Sequence, residues 1–297
     1  MRIGVSSYSY QSLVNNGTFR QEDLVKLAAE AGFELIEFAG LIVPEGESKE
    51  HYAARLRELC GQHQIAVGNY TIGADFLNLT GGSWRDEVER LQKEVDIAVI
   101  LGATGMRHDV TTGRRRSSDS GARLSQAPAE SFADVVEYLA RCCREVSAYA
   151  EQKQVRTMLE NHGTFCQDSE RVEQLISKVN HPNYGLLADI GNFLCVDEDP
   201  AVAVGRIAPY IFHLHAKDFH YRPGSLEAPG RGWFATRARN WLRGAIVGHG
   251  IVPVRQCIDI VSQAGYEGDV SIEFEGLEDP RLGLDIGLEN LRAMIQS

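Results

Sequence analysis

The sequence predicts an α/β fold, a closed (β/α)8 TIM barrel that forms a single domain over residues 1–297. Short apolar segments alternate along the chain with segments whose apolar residues recur at helical spacing, which is typical of strands alternating with helices. Polar and charged residues follow most of the strands directly, and no Gly-rich dinucleotide-binding turn follows the first one. The polar residues after the strands and the missing Gly-rich turn favour the barrel over an open, doubly wound sheet, because a barrel gathers its strand ends at one rim.

Each strand is expected where a short apolar run lies between turn signals. The strands are expected at 2–7, 33–38, 64–70, 104–110, 155–161, 184–189, 210–217 and 269–274. Thr18 and Gln21 have the form of a capping box for the first helix, and Gly32 and Gly102 stand where a left-handed residue would end a helix. The helices are expected at 18–31, 50–63, 83–101, 129–152, 169–179, 200–207 and 254–265, with a last one ending at Met294.

The composition is that of an ordinary soluble globular protein, with 43% hydrophobic and 24% charged residues. No apolar stretch is long enough to cross a bilayer, and a strand begins the chain in place of a signal peptide, so we expect a cytoplasmic protein without a membrane partner. The six cysteines form no CxxC pair, which favours reduced core thiols over disulfides or a zinc cluster. The net charge of -11 argues against a nucleic-acid partner. A homo-oligomer stays an open alternative.

The seventh predicted strand ends in an unusual group of polar side chains, His213-Leu214-His215-Ala216-Lys217-Asp218. Buried polar groups need partners and buried charges need several, so this cluster indicates the floor of a site. The fifth, sixth and eighth strands end in Glu160, Asp189 and Glu273. Neighbouring strands lie about 5 Å apart, so side chains from four consecutive strand ends can converge above the barrel.

Glu160, Asp189, His215 and Glu273 are therefore predicted to bind one divalent metal ion. Three converging carboxylates would repel one another without a cation. Their oxygen-rich set, with one imidazole and no thiolate, favours Mn²⁺, with Mg²⁺, Co²⁺ or Zn²⁺ as alternatives. For each residue alone, a solvated carboxylate or a helix cap is a good explanation; the four together favour the metal site. His213 lies deeper on the same strand face and is interpreted as a hydrogen-bonded residue beneath the ligands.

Short motifs follow one another in a characteristic order. They are Leu159-Glu160-Asn161-His162-Gly163, Asp189-Ile190-Gly191-Asn192, His213-Leu214-His215-Ala216-Lys217-Asp218, Gly248-His249-Gly250, and Gly265-Tyr266-Glu267-Gly268 leading to Ser271-Ile272-Glu273-Phe274-Glu275-Gly276. In this order the chain resembles, nearly end to end, the sugar phosphate isomerase/epimerase group of xylose-isomerase-like TIM barrels, in the AP endonuclease family 2 superfamily. The resemblance implies the same four metal ligands.

The resemblance also implies an enzyme, a metal-dependent isomerase or epimerase that acts on a small keto sugar or polyol, phosphorylated or not. In the family, the ion polarises a carbonyl so that the neighbouring C–H becomes acidic and an enediolate forms. Glu160 and Glu273 look like the pair that removes the proton from one face and returns it on the other. The alternative is a dehydratase or lyase of a keto sugar or inosose through the same enolate. A non-catalytic sugar-binding barrel is a further alternative, which the intact set of four ligands argues against.

Other polar residues near the strand ends are predicted to bind the substrate. They are Glu37, His108, His162, Asn192, Lys217 and Trp233. For His108 a structural histidine is an equal alternative, and Lys217 can instead pair with Asp218. Trp233 lies in the arginine-rich segment 221–247, which is interpreted either as a lid that stacks on a sugar and offers Arg to a phosphate, or as a loop or oligomer contact.

Other assignments fit less well. Ketose 3-epimerases of the family carry a Glu, a His and an Arg where this sequence has Cys166, Asn192 and Tyr221, so that activity is not assigned. An AP endonuclease would need further histidines, including one at the end of the third strand, which here ends in Asn69-Tyr70. A retaining glycosidase would use two rim carboxylates and would not need the other two site residues.

Overall fold

The computed structural model describes residues 1–79, 82–113 and 131–296. The strands are β1 (Ile3–Ser6), β2 (Leu35–Ala39), β3 (Ala66–Ile72), β4 (Gly105–His108), β5 (Arg156–Glu160), β6 (Tyr184–Asp189), β7 (Ile211–Ala216), β8 (Asp218–Arg222), β9 (Phe234–Ala235), β10 (Trp241–Ala245) and β11 (Val270–Ile272). The α-helices are α1 (Gln11–Asn15), α2 (Asp23–Ala31), α3 (Lys49–Gln62), α4 (Trp84–Leu101), α5 (Phe132–Gln152), α6 (Ser169–Val179), α7 (Pro200–Ile207), α8 (Val254–Gln263) and α9 (Pro280–Gln296).

Eight of these strands close into a parallel barrel, which confirms the predicted fold class. Around the barrel the order is β1, β11, β7, β6, β5, β4, β3, β2. Every neighbouring pair is parallel, so the carboxyl ends of all eight strands meet at one rim. The four strands that carry the predicted ligands, β5, β6, β7 and β11, are consecutive neighbours in this order.

The interior of the barrel is packed at close range, and Gly68 of β3 makes room there for larger side chains. A Cβ at Gly68 would lie 2.6 Å from Cδ1 of Leu35 and 2.9 Å from Cγ of Glu37. Carbon atoms that are not bonded prefer separations of about 3.5–4.0 Å, so such a Cβ would clash. Glu37 is fully buried. Gly68 therefore leaves the space that the Glu37 side chain occupies.

Helix ends agree with their sequence signals where the signal is strong. Gly102 ends α4 in the left-handed conformation, with φ of 82°, as predicted. Ser131 begins α5 with a capping box that Asp134 completes. Residues 114–130 lie outside the described residues, and they include Arg114-Arg115-Arg116 and the predicted start of this helix.

The capping box predicted at Thr18 and Gln21 is wrong. Thr18 donates from its backbone N–H and its hydroxyl to the side-chain oxygen of Asn16, and α2 begins later. The Gln21 side-chain amide instead donates to the carbonyl of Gly40, at 2.9 Å. The two residues therefore stabilise loops, because a partner distant in sequence competes successfully with the local cap.

The stretch after β7, which includes the arginine-rich segment 221–247, contains a small antiparallel sheet in the order β8, β10, β9. Asp197, in the loop after β6, holds this segment, because its carboxylate accepts hydrogen bonds from the Thr236 hydroxyl, the Ala238 backbone N–H and the Asn240 amide. These hydrogen bonds to Asp197 hold the small sheet beside the rim of the barrel.

Lys217 and Asp218 have different partners: Lys217 contacts the carboxylates at the strand ends, and Asp218 accepts backbone hydrogen bonds. The buried Asp218 carboxylate accepts four backbone N–H groups, at 2.8–3.0 Å, from Phe219, Gly248, Gly250 and Val252. Four donors on one carboxylate fix the turn that leads into α8.

All six cysteines are free thiols, and five of them are buried, as expected for core thiols. Among the described residues, no helix combines the length and the apolar character that a membrane span requires.

Replacing Asp218 with Ala should lower the free energy of unfolding by about 3–5 kcal/mol, because it leaves buried N–H donors without an acceptor. Urea denaturation followed by circular dichroism measures this change. Asp259→Ala is the control, since Asp259 makes an exposed pair with Arg255 at 3.5 Å. Equal stability of the Asp218 and Asp259 variants would contradict the anchoring role of Asp218.

Candidate metal centre

Glu160, Asp189, His215 and Glu273 come together at the carboxyl rim. Each offers one ligand atom, and these atoms all lie within 4.8 Å of one another. Asp189 and His215 are register partners across β6 and β7. Glu273 follows β11 directly and donates its backbone N–H to the carbonyl of Ala216, at 3.1 Å. All four residues are buried, so the register of the barrel places them around one point.

His215 is oriented by a carboxylate below it. Its Nε2 lies 3.0 Å from Oε2 of Glu37, and its Nδ1 is buried without a hydrogen-bond partner among the described residues. The same carboxylate contacts Nε2 of His213 and accepts a hydrogen bond from the hydroxyl of Ser271. Burial lowers the pKa of His215, but the charge and hydrogen bond of Glu37 and the charges of Glu273 and Glu160 together outweigh it and raise that pKa to about 9. Because Nε2 is occupied by Glu37, Nδ1 is the ring nitrogen with which His215 could bind a metal ion.

Asp189, the second candidate ligand, is held by hydrogen bonds to its carboxylate and to its backbone. Its Oδ1 accepts the backbone N–H groups of Gly191 and Asn192, at 2.9 and 3.0 Å. The side chain of Asn161 bonds both the N–H and the carbonyl of Asp189, each at 2.8 Å. Burial raises the pKa of Asp189 to about 6, against the lowering effect of Lys217. These contacts leave Oδ2 of Asp189 to face the Lys217 ammonium, at 3.0 Å.

Lys217 lies in the middle of the acidic residues. Its Nζ is 2.6 Å from Oε2 of Glu273, 3.0 Å from Oδ2 of Asp189 and 3.3 Å from Oε1 of Glu275. Burial lowers the pKa of Lys217, but the surrounding carboxylates outweigh it and raise that pKa well above its usual value. Lys217 is therefore a charged donor at the floor of the site.

Glu160 has a partner that the sequence analysis missed. The Arg107 guanidinium donates through Nε and Nη2 to Oε2 of Glu160, and its Nη1 lies 3.1 Å from Asp109. Burial raises the pKa of Glu160, but the charge of Arg107 and those of the nearby histidines and Lys217 together outweigh it and lower that pKa to about 2. Successive side chains of a strand point to opposite faces of the sheet, so only one of Arg107 and His108 can face the interior of the barrel. The presence of an arginine next to His108 at the end of β4 was therefore the signal in the sequence for this contact.

The donor set suits a divalent cation. Three carboxylates and one imidazole nitrogen converge in a buried position. The Nδ1 of His215 has no hydrogen-bond partner among the described residues and lies 3.8 Å from Oε1 of Glu273. Histidines that ligate metals commonly donate their other ring nitrogen to a carboxylate, as His215 does to Glu37. Hard oxygen donors with one imidazole are compatible with several divalent ions.

The sequence model of the xylose isomerase-like TIM barrel family matches residues 25–294. The chain belongs to this family. An inosose dehydratase from Clostridium beijerinckii is 28% identical over 151 residues, and the match covers 48% of each chain, about half the length of that relative.

Two solved structures share the family fold over nearly the whole chain. The IOLI protein with a bound zinc atom is 16% identical, with a TM-score of 0.73, and the match covers 99% of this chain and 98% of that one. D-psicose 3-epimerase, solved in the presence of D-fructose, is 13% identical, with a TM-score of 0.71 over the full length of both chains.

A cavity of about 470 Å³ opens above the candidate centre and is lined in part by Glu160 and Glu273. Of the residues predicted to bind substrate, His162 and Lys217 also line it. Asn192 lies just below, where its amide donates to Oε1 of Glu160 at 3.1 Å and its oxygen accepts from Lys217 at 3.3 Å.

The other three predicted substrate residues lie outside the cavity lining. Glu37 is fully buried under His215, so its position suits orienting that ligand. His108 is also fully buried, between the rings of Phe76 and Tyr184, and burial lowers its pKa to about 4, which keeps it neutral. The position of His108 suits the structural alternative.

Trp233, the third of these residues, packs beside a guanidinium group rather than over the centre. The carbon of the Arg243 guanidinium lies 5.7 Å from the centroid of the Trp233 ring. The segment around Trp233 therefore contributes an aromatic–cation contact within the small sheet.

The contact between Glu37 and His215 predicts an effect on metal affinity. Glu37→Ala should weaken binding of Mn²⁺ about 10–100-fold, because His215 loses the carboxylate that fixes its ring. Competition with a chromophoric chelator measures the affinity. Ser271→Ala is the matched control, since it removes one contact to Glu37 but keeps the contact between Glu37 and His215. Equal losses in both variants would contradict the orienting role.

Proposed function

We propose that this protein is a metal-dependent isomerase or epimerase of a small keto sugar or polyol. The observation that carries the proposal is the placement of Glu160 and Glu273, which belong to the four-residue ligand set and also line the cavity. Two carboxylates at a common centre, both open to a bound molecule, are what a two-base proton transfer requires.

Both carboxylates are in the state that can accept a proton. The pKa of Glu160 is about 2, and the pKa of Glu273 lies below its ordinary value because Lys217 and His215 outweigh the raising effect of burial. In the proposed reaction the carboxylate of one glutamate removes a proton from the carbon next to the carbonyl. The other glutamate takes a proton from solvent and delivers it to the opposite face, and the first glutamate then releases its proton to solvent. A bound divalent ion supplies Lewis-acid polarisation of the carbonyl.

The surrounding residues suit this reaction. Arg107 fixes the orientation of Glu160 through its guanidinium. The Lys217 ammonium can donate to an oxygen of the substrate that becomes negative as the proton leaves. We propose His162, Asn192 and Lys217 as the residues that contact substrate hydroxyls, since two of them line the cavity and the third bonds Glu160.

On its donor set we propose Mn²⁺ as the ion, with Mg²⁺, Co²⁺ and Zn²⁺ as alternatives. The bound zinc of the IOLI protein supports a divalent ion on this fold. We propose that the protein is cytoplasmic and that its partner is a small carbohydrate substrate.

A dehydratase or lyase is the second candidate, and the similarity to an inosose dehydratase favours it. The same proton abstraction next to a carbonyl would then be followed by loss of a neighbouring hydroxyl as water. The mass of the product separates the two reactions, because epimerisation conserves mass and dehydration lowers it by one water.

Glu160→Gln and Glu273→Gln should each retain the fold and lower turnover by about 10²–10⁴-fold, because each removes a base with little change of volume. Deuterium incorporation from solvent into a panel of keto sugars and inososes measures the proton transfer. Glu267→Gln, at an exposed position, is the control. Turnover close to that of the unmodified protein in either active-site variant would refute the two-base mechanism.

Removal of the metal provides a separate prediction. The purified protein should contain about one divalent ion per chain, and dialysis against a chelator should abolish deuterium exchange until Mn²⁺ is restored. Mass spectrometry of the metal content and of the sugar measures both quantities. Exchange that continues in metal-free protein would overturn the proposal, and the absence of both metal and exchange would favour a non-catalytic barrel.

A further inference from the structure

The cavity extends across the barrel mouth, away from the candidate metal centre. The ligands come from the ends of β5, β6, β7 and β11, whereas the far side is lined by Tyr70 of β3, Lys49 of α3, and Arg90 and Glu94 of α4. In the order of the barrel, β2 and β3 lie opposite β6 and β7. A molecule that contacts the centre with one end can therefore place its other end against these residues.

Lys49, Tyr70 and Glu94 form one hydrogen-bonded group, the distal cluster. Lys49 Nζ lies 2.6 and 2.8 Å from the two carboxylate oxygens of Glu94, and the Tyr70 hydroxyl donates to Oε2 of Glu94 at 2.8 Å. The side chain of Glu94 is 12% exposed and that of Lys49 is 34% exposed. Glu94 is largely removed from water and loses hydration, which offsets much of the attraction of Lys49, so this ion pair contributes little to stability.

Each cation that lines the cavity already faces a carboxylate, within the described parts of the chain. Lys49 pairs with Glu94, Arg90 donates to both oxygens of Glu87 at 2.7 and 2.8 Å, and Arg107 and Lys217 pair with ligands of the centre. A phosphate group needs cations that are free to neutralise it. The described lining offers none at its far side, and the Glu94 carboxylate would repel an anion there.

We propose that the distal cluster is a subsite for the hydroxyl groups of an uncharged, unphosphorylated sugar or polyol. A hydroxyl both donates and accepts, so it can donate to Glu94 and accept from Lys49, which retains N–H capacity beyond its contacts with the carboxylate. A phosphate only accepts, so it cannot use Glu94. This inference deepens the proposed function and rests on it for the position of the reacting carbon.

Binding of a polyol that cannot react tests the subsite apart from catalysis. Isothermal titration of the metal-loaded protein with D-sorbitol and with D-sorbitol 6-phosphate should give tighter binding of the uncharged molecule. Lys49→Met and Glu94→Gln should each weaken D-sorbitol binding about tenfold, which corresponds to one hydrogen bond to a charged group. Glu94→Gln should also improve binding of the phosphate ester, because it removes the repelling charge.

Two exposed residues of α4 provide matched controls. Glu89→Gln is the control for Glu94→Gln, and Lys93→Met is the control for Lys49→Met. Both controls should bind D-sorbitol as the unmodified protein does, and thermal unfolding should confirm that all four variants are folded. Unchanged binding in the Lys49 and Glu94 variants, or a preference of the unmodified protein for the phosphate ester, would overturn the subsite.

Deuterium exchange then separates this inference from the proposed function. In the Lys49 and Glu94 variants, kcat/KM should fall about tenfold more for D-fructose than for dihydroxyacetone, which has no hydroxyl beyond its third carbon. Equal losses for the two ketoses would count against a distal subsite. No exchange into either ketose, with D-sorbitol binding that depends on Lys49 and Glu94, would refute the proposed reaction and support the subsite.

Discussion

Charge compensation among buried carboxylates is the constraint on which the mouth of this barrel depends. Glu37, Glu160, Asp189 and Glu273 are all buried within a few strand ends of one another. Burying a carboxylate without a partner costs several kcal/mol, so the arrangement holds only if cations are buried beside it. Lys217, Arg107 and the imidazole of His215 supply that charge. The polar interior is consequently a connected network, in which removing one member leaves another without its partner.

Much of the fold, and the convergence of the four candidate ligands, could be predicted from the sequence. Parallel strands end at one rim, so polar residues at the ends of predicted strands identify the site without knowledge of the register. The convergence of Glu160, Asp189, His215 and Glu273 could be predicted in this way. The capping box predicted at Thr18 was wrong because a local cap signal does not reveal a competing hydrogen-bond partner.

The residues that sequence reasoning missed have partners on other elements. The pairing of Arg107 with Glu160 depends on two adjacent strands that are 53 residues apart at this contact. Lys49 and Glu94 belong to two helices, and their charged side chains resemble the solvated face of any surface helix. Glu37 could be recognised as a strand-end carboxylate, but its contact with His215 joins residues 178 positions apart. Contacts of this kind require the closed barrel itself.

The glycine in the barrel interior has a consequence for how the sequence can change. The atoms nearest to a methyl group at Gly68 belong to Leu35, Ile36 and Glu37. Such a methyl group would displace Glu37, whose carboxylate contacts His215. The range of side chains tolerated at position 68 is thus set by the geometry of a centre two contacts away. We therefore expect substitutions at positions 37, 68 and 215 to be coupled, so variants of this candidate centre have to change the three positions together.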